Sequence, residues 1–345
     1  MNEKQKQAYN QHLSERSVEK TDVTVIKGYD FNTPFDFDKY MDNLPHMGIQ
    51  SSHMHKAIEV INDMLLWRGE NGERVNKFLS FTSSASSSGL REMIAYLAEH
   101  KLVDNIVTSA GAVEEDILKT FEPHISGEFV TDDWQLHRDG WNRVGNIFCS
   151  NDAYLKFDDF LAPILVEMKR KQKEEGKVWS PSEAIRFWGQ HIDNKNSFVS
   201  QAAKNNIPIY VPAFTDGAIG DSLYFDSFKD PYQLVIDYMT DTKKIINDMV
   251  ESPMKGAICL GSSVPKHFVL NSSAMKGGLS HAVFITTAQE FDASDSGANP
   301  SEAVTWGKIN QKGKTVKLIS ETTIAFPLIM AQTFVKYKLG KLIKK

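Results

Sequence analysis

The stretch Thr286–Lys308 (TTAQEFDASDSGANPSEAVTWGK) carries four carboxylates, Glu290, Asp292, Asp295 and Glu302, and ends in a lysine just past Trp306 and Gly307. Such acids attract a cationic substrate. A lysine beside them is either their salt-bridge partner or an amine held for chemistry. Nucleophilic work needs the neutral amine, which desolvation or nearby cations favour. Trp306 offers an apolar wall, and its ring face can hold a substrate ammonium. His267 follows a lysine at a polar-to-apolar transition and reads either as a hydrogen-bonded structural histidine or as a proton acceptor. The plain alternative for the whole stretch is an acidic surface loop with a snorkelling lysine.

Other segments offer complementary chemistry. The serine-rich turn Ser83–Ser88 with Gly89 opens a helix, where backbone N–H groups and hydroxyls can hold phosphate oxygens. Ser109–Gly111 is a second small-residue turn, and no GxGxxG dinucleotide fingerprint is present. Glu114 and Glu115 read as helix-capping acids or as ligands for a cation. Asp216 and Asp221 flank GAIG, where glycines let the backbone come close to a ligand, although Asp221 could equally cap the following segment. Together these residues point to an anionic pocket for a polyvalent cation, a phosphate-bearing cofactor and a candidate amine nucleophile.

The elements that must position them follow a repeating pattern. Lys77–Phe81, Ile106–Val107, Ile207–Val211, Ala257–Leu260, Ala282–Ile285 and Val316–Ile319 read as short apolar strands, each running into a polar turn. Helices are expected with Leu90, Met93, Ile94 and Leu97 on one face, from near Val113, and over Ile324–Leu339. The alternation predicts an α/β, Rossmann-like, mostly parallel sheet with helices on both faces. Ligands of such sheets bind at the carboxyl ends of the strands, so the turns should converge along one edge. Residues 1–24 are polar and aperiodic and read as an N-terminal arm, either loose or a surface helix, leaving 25–345 as one catalytic domain. Lys169–Lys177 reads as a solvated helix end.

The composition narrows the function classes. With 345 residues, 41% hydrophobic and 24% charged, the chain can bury a substantial core. A formal charge of −5 argues against nucleic acid as the main partner. Two cysteines, Cys149 and Cys259, give neither a disulfide framework nor a metal signature. The polar start and the lack of a long apolar run lead us to expect no membrane segment and a cytoplasmic location.

Gly28–Asn32 (GYDFN), Ser88–Glu92 (SGLRE), Ala110–Asp116 (AGAVEED), Thr215–Asp221 (TDGAIGD), Thr287–Gly297 (TAQEFDASDSG) and Glu302–Lys308 (EAVTWGK) resemble deoxyhypusine synthase. The resemblance runs from about residue 25 to about residue 338. It implies NAD-dependent transfer of the 4-aminobutyl group of spermidine, through an imine on Lys308, to a lysine of the translation initiation factor 5A precursor. A related possibility is homospermidine synthase, with putrescine as acceptor; a third is a non-catalytic paralogue that activates a true synthase subunit. The family's spermidine contacts fall on Glu114, Glu115, Asp221, His267, Ala293, Ser294, Asp295, Glu302 and Trp306, with His267 as base. Its NAD positions fall on Ser83, Ser84, Ala85, Ser86, Ser87, Ser109, Ala110, Gly111, Glu115, Asp216, Ser262, Thr287, Ala288, Asp292, Glu321 and Thr322. Members are generally homotetramers with active sites at a dimer interface. This chain departs from the family's pattern at Ser83-Ser84 (Ser-Asn), at Ser262-Ser263 (Gly-Gly), at Glu321-Thr322 (Asp-Ala) and at Ala293 (glycine). Serine adds a side chain where the backbone should approach the dinucleotide.

Overall fold

A computed structural model describes residues 1–12, 20, 23–230 and 232–342. In chain order the strands are β1 (Asn76–Phe81), β2 (Asn105–Val107), β3 (Ile125–Ser126), β4 (Trp141–Val144), β5 (Ile147–Ser150), β6 (Ile209–Tyr210), β7 (Lys255–Leu260), β8 (Leu279–Thr286) and β9 (Ile309–Ile319). Six of them form one all-parallel sheet in the order β6-β2-β1-β7-β8-β9. The chain first builds outward from β1 through β2 to β6, then returns to the other side of β1 for β7, β8 and β9. That reversal leaves a crevice between the carboxyl ends of β1 and β7, the switch point where doubly wound sheets bind ligands.

Burial on both faces explains the near-continuous apolar strands. Alternate residues serve two different cores. Ile258, Leu260, Val283 and Ile285 join one, with Ile61, Ile94, Val113 and Phe326 from helices Ile49–Leu66, Leu90–Glu99, Ala110–Phe121 and Thr322–Gln332. Ala257, Cys259, Ala282 and Phe284 join the other, with Met249, Val269, Leu270 and Ala303 from helices Tyr238–Glu251, Ser263–Ser273 and Pro300–Thr305.

Several elements differ from the sequence expectation. The serine turn contains a short helix, Ser83–Ser87. The helix expected from Val113 starts at Ala110, so Glu114, Glu115 and Asp116 lie beyond its first turn and are buried rather than capping. Asp116 instead accepts from Arg91 Nε at 2.7 Å and from the amide of Phe198 at 3.1 Å. The apolar run after Ile324 is two helices, Thr322–Gln332 and Phe334–Lys338, parted at Thr333. In the charged run, Arg170 pairs with Glu167 and Glu174 on the surface, but Lys169 is buried against Asp226 at 2.9 Å. A separate antiparallel sheet, β3-β5-β4, precedes the long helix Asn151–Glu175. In the N-terminal arm, for which the sequence allows a loose segment or a surface helix, Glu3–His12 is a helix with no buried residue; 13–19, 21 and 22 lie outside the described residues. Among the described residues no helix is long and apolar enough to cross a membrane.

Candidate active site

The turns following all six strands lie at the carboxyl edge of the sheet, as the alternation predicts. Lys308 does not. It immediately precedes β9, and its main-chain oxygen accepts from Leu279 N at the start of β8. The side chain belongs instead to a cavity of about 170 Å³ on the sheet face built by Leu270, Phe284 and Ala303. This cavity gathers six of the expected residues: His267, Ala293, Asp295, Glu302, Trp306 and Lys308. Lys308 Nζ lies 3.4 Å from His267 Nε2 and 5.4 Å from the centre of the Trp306 ring. Trp306 and His267 are both exposed, so the amine stands at an open mouth.

The acidic stretch is less free than its composition suggests. Glu290 Oε2 lies 3.5 Å from the buried Lys317 Nζ and accepts from Asn299 Nδ2 at 2.6 Å. Asp295 Oδ2 lies 3.7 Å from Lys266 Nζ. Asp292 accepts from Ser294 N at 2.9 Å, closing a local turn. Glu302 alone among the four has no side-chain partner among the described residues, and it is exposed. With Lys266 and Lys308 opposing Asp295 and Glu302, the cavity lining is close to neutral rather than anionic.

The other acids form a second cluster on the opposite face. Their helix, Ala110–Phe121, packs in the other core, and the lining of the Lys308 cavity contains none of Glu114, Glu115 and Asp221. Glu114 Oε2 accepts from Ile219 N at 3.1 Å, which ties it to the helix Ala218–Asp226 that carries Asp221. Gly217, at φ +122°, makes this possible, since a Cβ there would meet Glu114 Oε1 at 2.7 Å. Burial pushes the Glu114 carboxyl up to about 7, and the Glu115 and Asp221 charges reinforce the shift against the Ile219 and Ala218 amides. Glu115 is paired with His124 Nε2 at 2.5 Å, both side chains being buried.

The expected cofactor positions border the switch point. The turns after β1 and β2 abut, since a Cβ on Gly111 would lie 3.1 Å from Ser83 Cβ. Lys119 Nζ donates to the carbonyl oxygens of Ser86, Ser87 and Ser88, so the amides at the other end of that short helix face away from the lysine. The hydroxyls of Ser86 and Ser109 are buried without a partner. Orphan donors on closely approaching turns at a sheet switch point fit a dinucleotide. Three departures from the family's pattern fall in or near these turns. Ser263, at φ +68°, and Ala293, at φ +58°, keep left-handed backbone that favours glycine. Glu321 caps its own helix, accepting from Thr323 N at 2.8 Å and Ile324 N at 3.2 Å, so its carboxylate is already engaged. Asp216 and Thr287 are exposed, Ala288 N donates to Thr286 Oγ1, and Thr322 Oγ1 lies 3.3 Å from Glu321 Oε1. Among the described residues no group of three His, Cys, Asp or Glu is placed to hold a metal ion.

Sequence reasoning missed Lys266, His124, Lys119 and Lys317. One signal was present for Lys266: it falls three and four residues before Val269 and Leu270, on the apolar face of its helix. His124 offered none.

A family model described as deoxyhypusine synthase matches residues 39–333. The chain belongs to the deoxyhypusine synthase family. It is 43% identical over 330 residues to the deoxyhypusine synthase of Arabidopsis thaliana, covering 90% of this chain and 89% of that one. It is equally 43% identical, over 328 residues, to homospermidine synthase 2 of Senecio vernalis, with the same coverage. A solved structure from Entamoeba histolytica, assigned as a deoxyhypusine synthase, superposes with a TM-score of 0.64 at 29% identity, covering 90% of this chain and 97% of that chain. Deoxyhypusine and homospermidine synthases are thus equally similar to this member of the family.

Proposed function

We propose that the chain is a deoxyhypusine synthase, moving the 4-aminobutyl group of spermidine to a lysine of the translation initiation factor 5A precursor. The observation that carries this is the grouping of Lys308, His267, Trp306 and Glu302 around one cavity. A primary amine within reach of an imidazole and an aromatic face can form an imine with a substrate carbon once that carbon has been oxidised to the iminium level, the substrate's own amine leaving as the new C=N bond forms. The turns at Ser83–Ser87 and Ser109–Gly111 would hold NAD, which would supply a hydride acceptor and, once reduced, a hydride donor. Lys308 Nζ takes the aminobutyl carbon as a C=N bond, and 1,3-diaminopropane leaves. The acceptor lysine then displaces Lys308 by exchange of amines. His267 Nε2 accepts the proton that Nζ must lose before it attacks. Trp306 walls the amine from one side, and Glu302 holds a substrate ammonium.

Spermidine carries three ammonium groups, and the cavity around Lys308 has little net charge. The remaining countercharge is in Glu114, Glu115 and Asp221, so we assign the complete site to two copies of the chain, each supplying one cluster. This accords with the homotetramer that the family resemblance implies.

Purified protein with NAD and tritiated spermidine tests the reading, with the factor 5A precursor or putrescine offered as acceptor. Label passing to the precursor, and not from Lys308→Ala, is the expected result; label passing only to putrescine assigns homospermidine synthesis instead. Transfer that requires a second paralogue would favour the regulatory reading.

A further inference from the structure

Residues 289–297 form a pinched loop. A Cβ on Gly297 would lie 1.6 Å from Gln289 O, so only glycine lets the two strands of the neck meet. Inside the loop Ala293 N donates to Glu290 O at 3.1 Å and Gly297 N donates to Ser294 O at 3.1 Å. Turns of this kind are ordinarily free to move as a unit.

Two lysines reach the loop from regular elements beneath it. Lys266, 1% exposed, lies on the helix Ser263–Ser273 with Nζ 4.5 Å from the centre of the Phe284 ring. Its ammonium donates to the main-chain oxygen of Asp295 and lies 3.7 Å from Asp295 Oδ2. Lys317, 6% exposed, projects from β9 between Val316 and Leu318; it donates to the main-chain oxygen of Gly297 and lies 3.5 Å from Glu290 Oε2. Lys266 lines the Lys308 cavity and Lys317 does not.

We infer that Lys266 and Lys317 are paired positioning residues that clamp the acidic loop over the cavity. A buried ammonium is tolerated only while its acceptors stay in place. A small shift of the loop leaves both charges buried and unpaired, whereas only full opening lets water reach them. The loop therefore has one tightly held closed position, which fixes Asp295 and holds Ala293 in its left-handed backbone. Two of the four acids that mark this stretch in the sequence serve as anchors for buried lysines. Their formal charge is spent on the loop rather than on a substrate.

Amide hydrogen exchange over 289–297 and spermidine kinetics on full-length wild type, Lys266→Met and Lys317→Met test this; the kinetic part rests on the functional reading above, and the exchange part does not. Both variants are expected to exchange about tenfold faster in the loop and to raise the KM for spermidine by about tenfold, with a smaller fall in kcat. Exchange in β7 and β8 controls for global unfolding, and Lys266→Arg should recover part of the protection. Should Lys266→Met not fold, Lys317→Met carries the test. A change confined to Lys266→Met would overturn the clamp in favour of direct contact between Lys266 and the substrate. Unchanged loop exchange in both variants would overturn it outright. If the wild type turns over no spermidine, the functional reading fails while the exchange result still decides the clamp.

Discussion

Glu114 is buried, tied to the Ile219 amide and fitted into space that a side chain at Gly217 would fill, whereas Lys308 stands beside exposed His267 and Trp306 with one 3.4 Å contact to the imidazole. The elements around them pack on opposite faces of the sheet, against different cores. Their surroundings match what each must do. A carboxyl meant to receive a cation gains from being fixed and desolvated in advance, because the ligand then replaces a proton or a weak contact rather than a water shell. An amine that must attack, carry a group and hand it on needs room to swing, which a flexible lysine at an open mouth has. The acidic half is preorganised by its backbone, and the amine half is held only through the loop and helix around it.

The contrast breaks most completely at the amine. Lys308→Ala should lower turnover by about a thousandfold or more, since no other primary amine in the cavity contacts His267. Its thermal stability should stay within about 0.5 kcal/mol of wild type, as expected of a side chain with few contacts.

Glu114→Gln tests the other half through pH. The folded carboxyl titrates at about 7, above the ordinary 4.5, so the folded state holds its proton more tightly than the unfolded chain does. Stability from this group is therefore present below the unfolded value and lost as pH rises through the folded one. The variant should accordingly be more stable than wild type by about 3 kcal/mol at pH 8 and nearly equal to it at pH 4, measured by denaturant titration. Spermidine affinity should rise from pH 6 to pH 8 in the wild type and stay flatter and weaker in the variant, as calorimetry would read. A wild-type affinity independent of pH would remove Glu114 from the polyamine site.

Gly217→Ala sharpens the same half without touching a charge. A Cβ 2.7 Å from Glu114 Oε1, on a backbone at φ +122°, should cost about 1–3 kcal/mol and weaken spermidine binding. The smallest effect is expected on the cofactor side. Ser263→Gly relieves a left-handed serine and should stabilise the protein by about 0.5–1 kcal/mol after the added chain entropy is subtracted. A loss of stability would show that the serine side chain makes a contact worth more than the strain.

Much of the architecture was legible. Strands buried on both faces read as apolar runs, and each was followed by a turn rich in Gly, Ser, Thr or Asp, which is enough to predict a parallel sheet. The strand order was not legible, because it depends on which side of β1 the chain returns to. The hairpin β4–β5 was missed because Asn142 and Arg143 interrupt its apolar pattern. At the site, Lys308, His267 and Trp306 stood out by type and spacing. The use of Glu290 and Asp295 as lysine anchors did not, since Lys317 and Lys266 come from elements far along the chain. The separation of Glu114 from Lys308 by the sheet likewise follows only from topology.

Co-expression of Lys308→Ala with Glu114→Gln tests the division of the site between two copies most directly. Each variant alone should be almost inactive in spermidine-dependent transfer. If one copy supplies the amine and another the acids, mixed assemblies contain an intact site and activity should return to a substantial fraction of wild type. A mixture no more active than either parent, with mixed assemblies confirmed by tagged pull-down, would contradict the account and place both clusters in one chain's site.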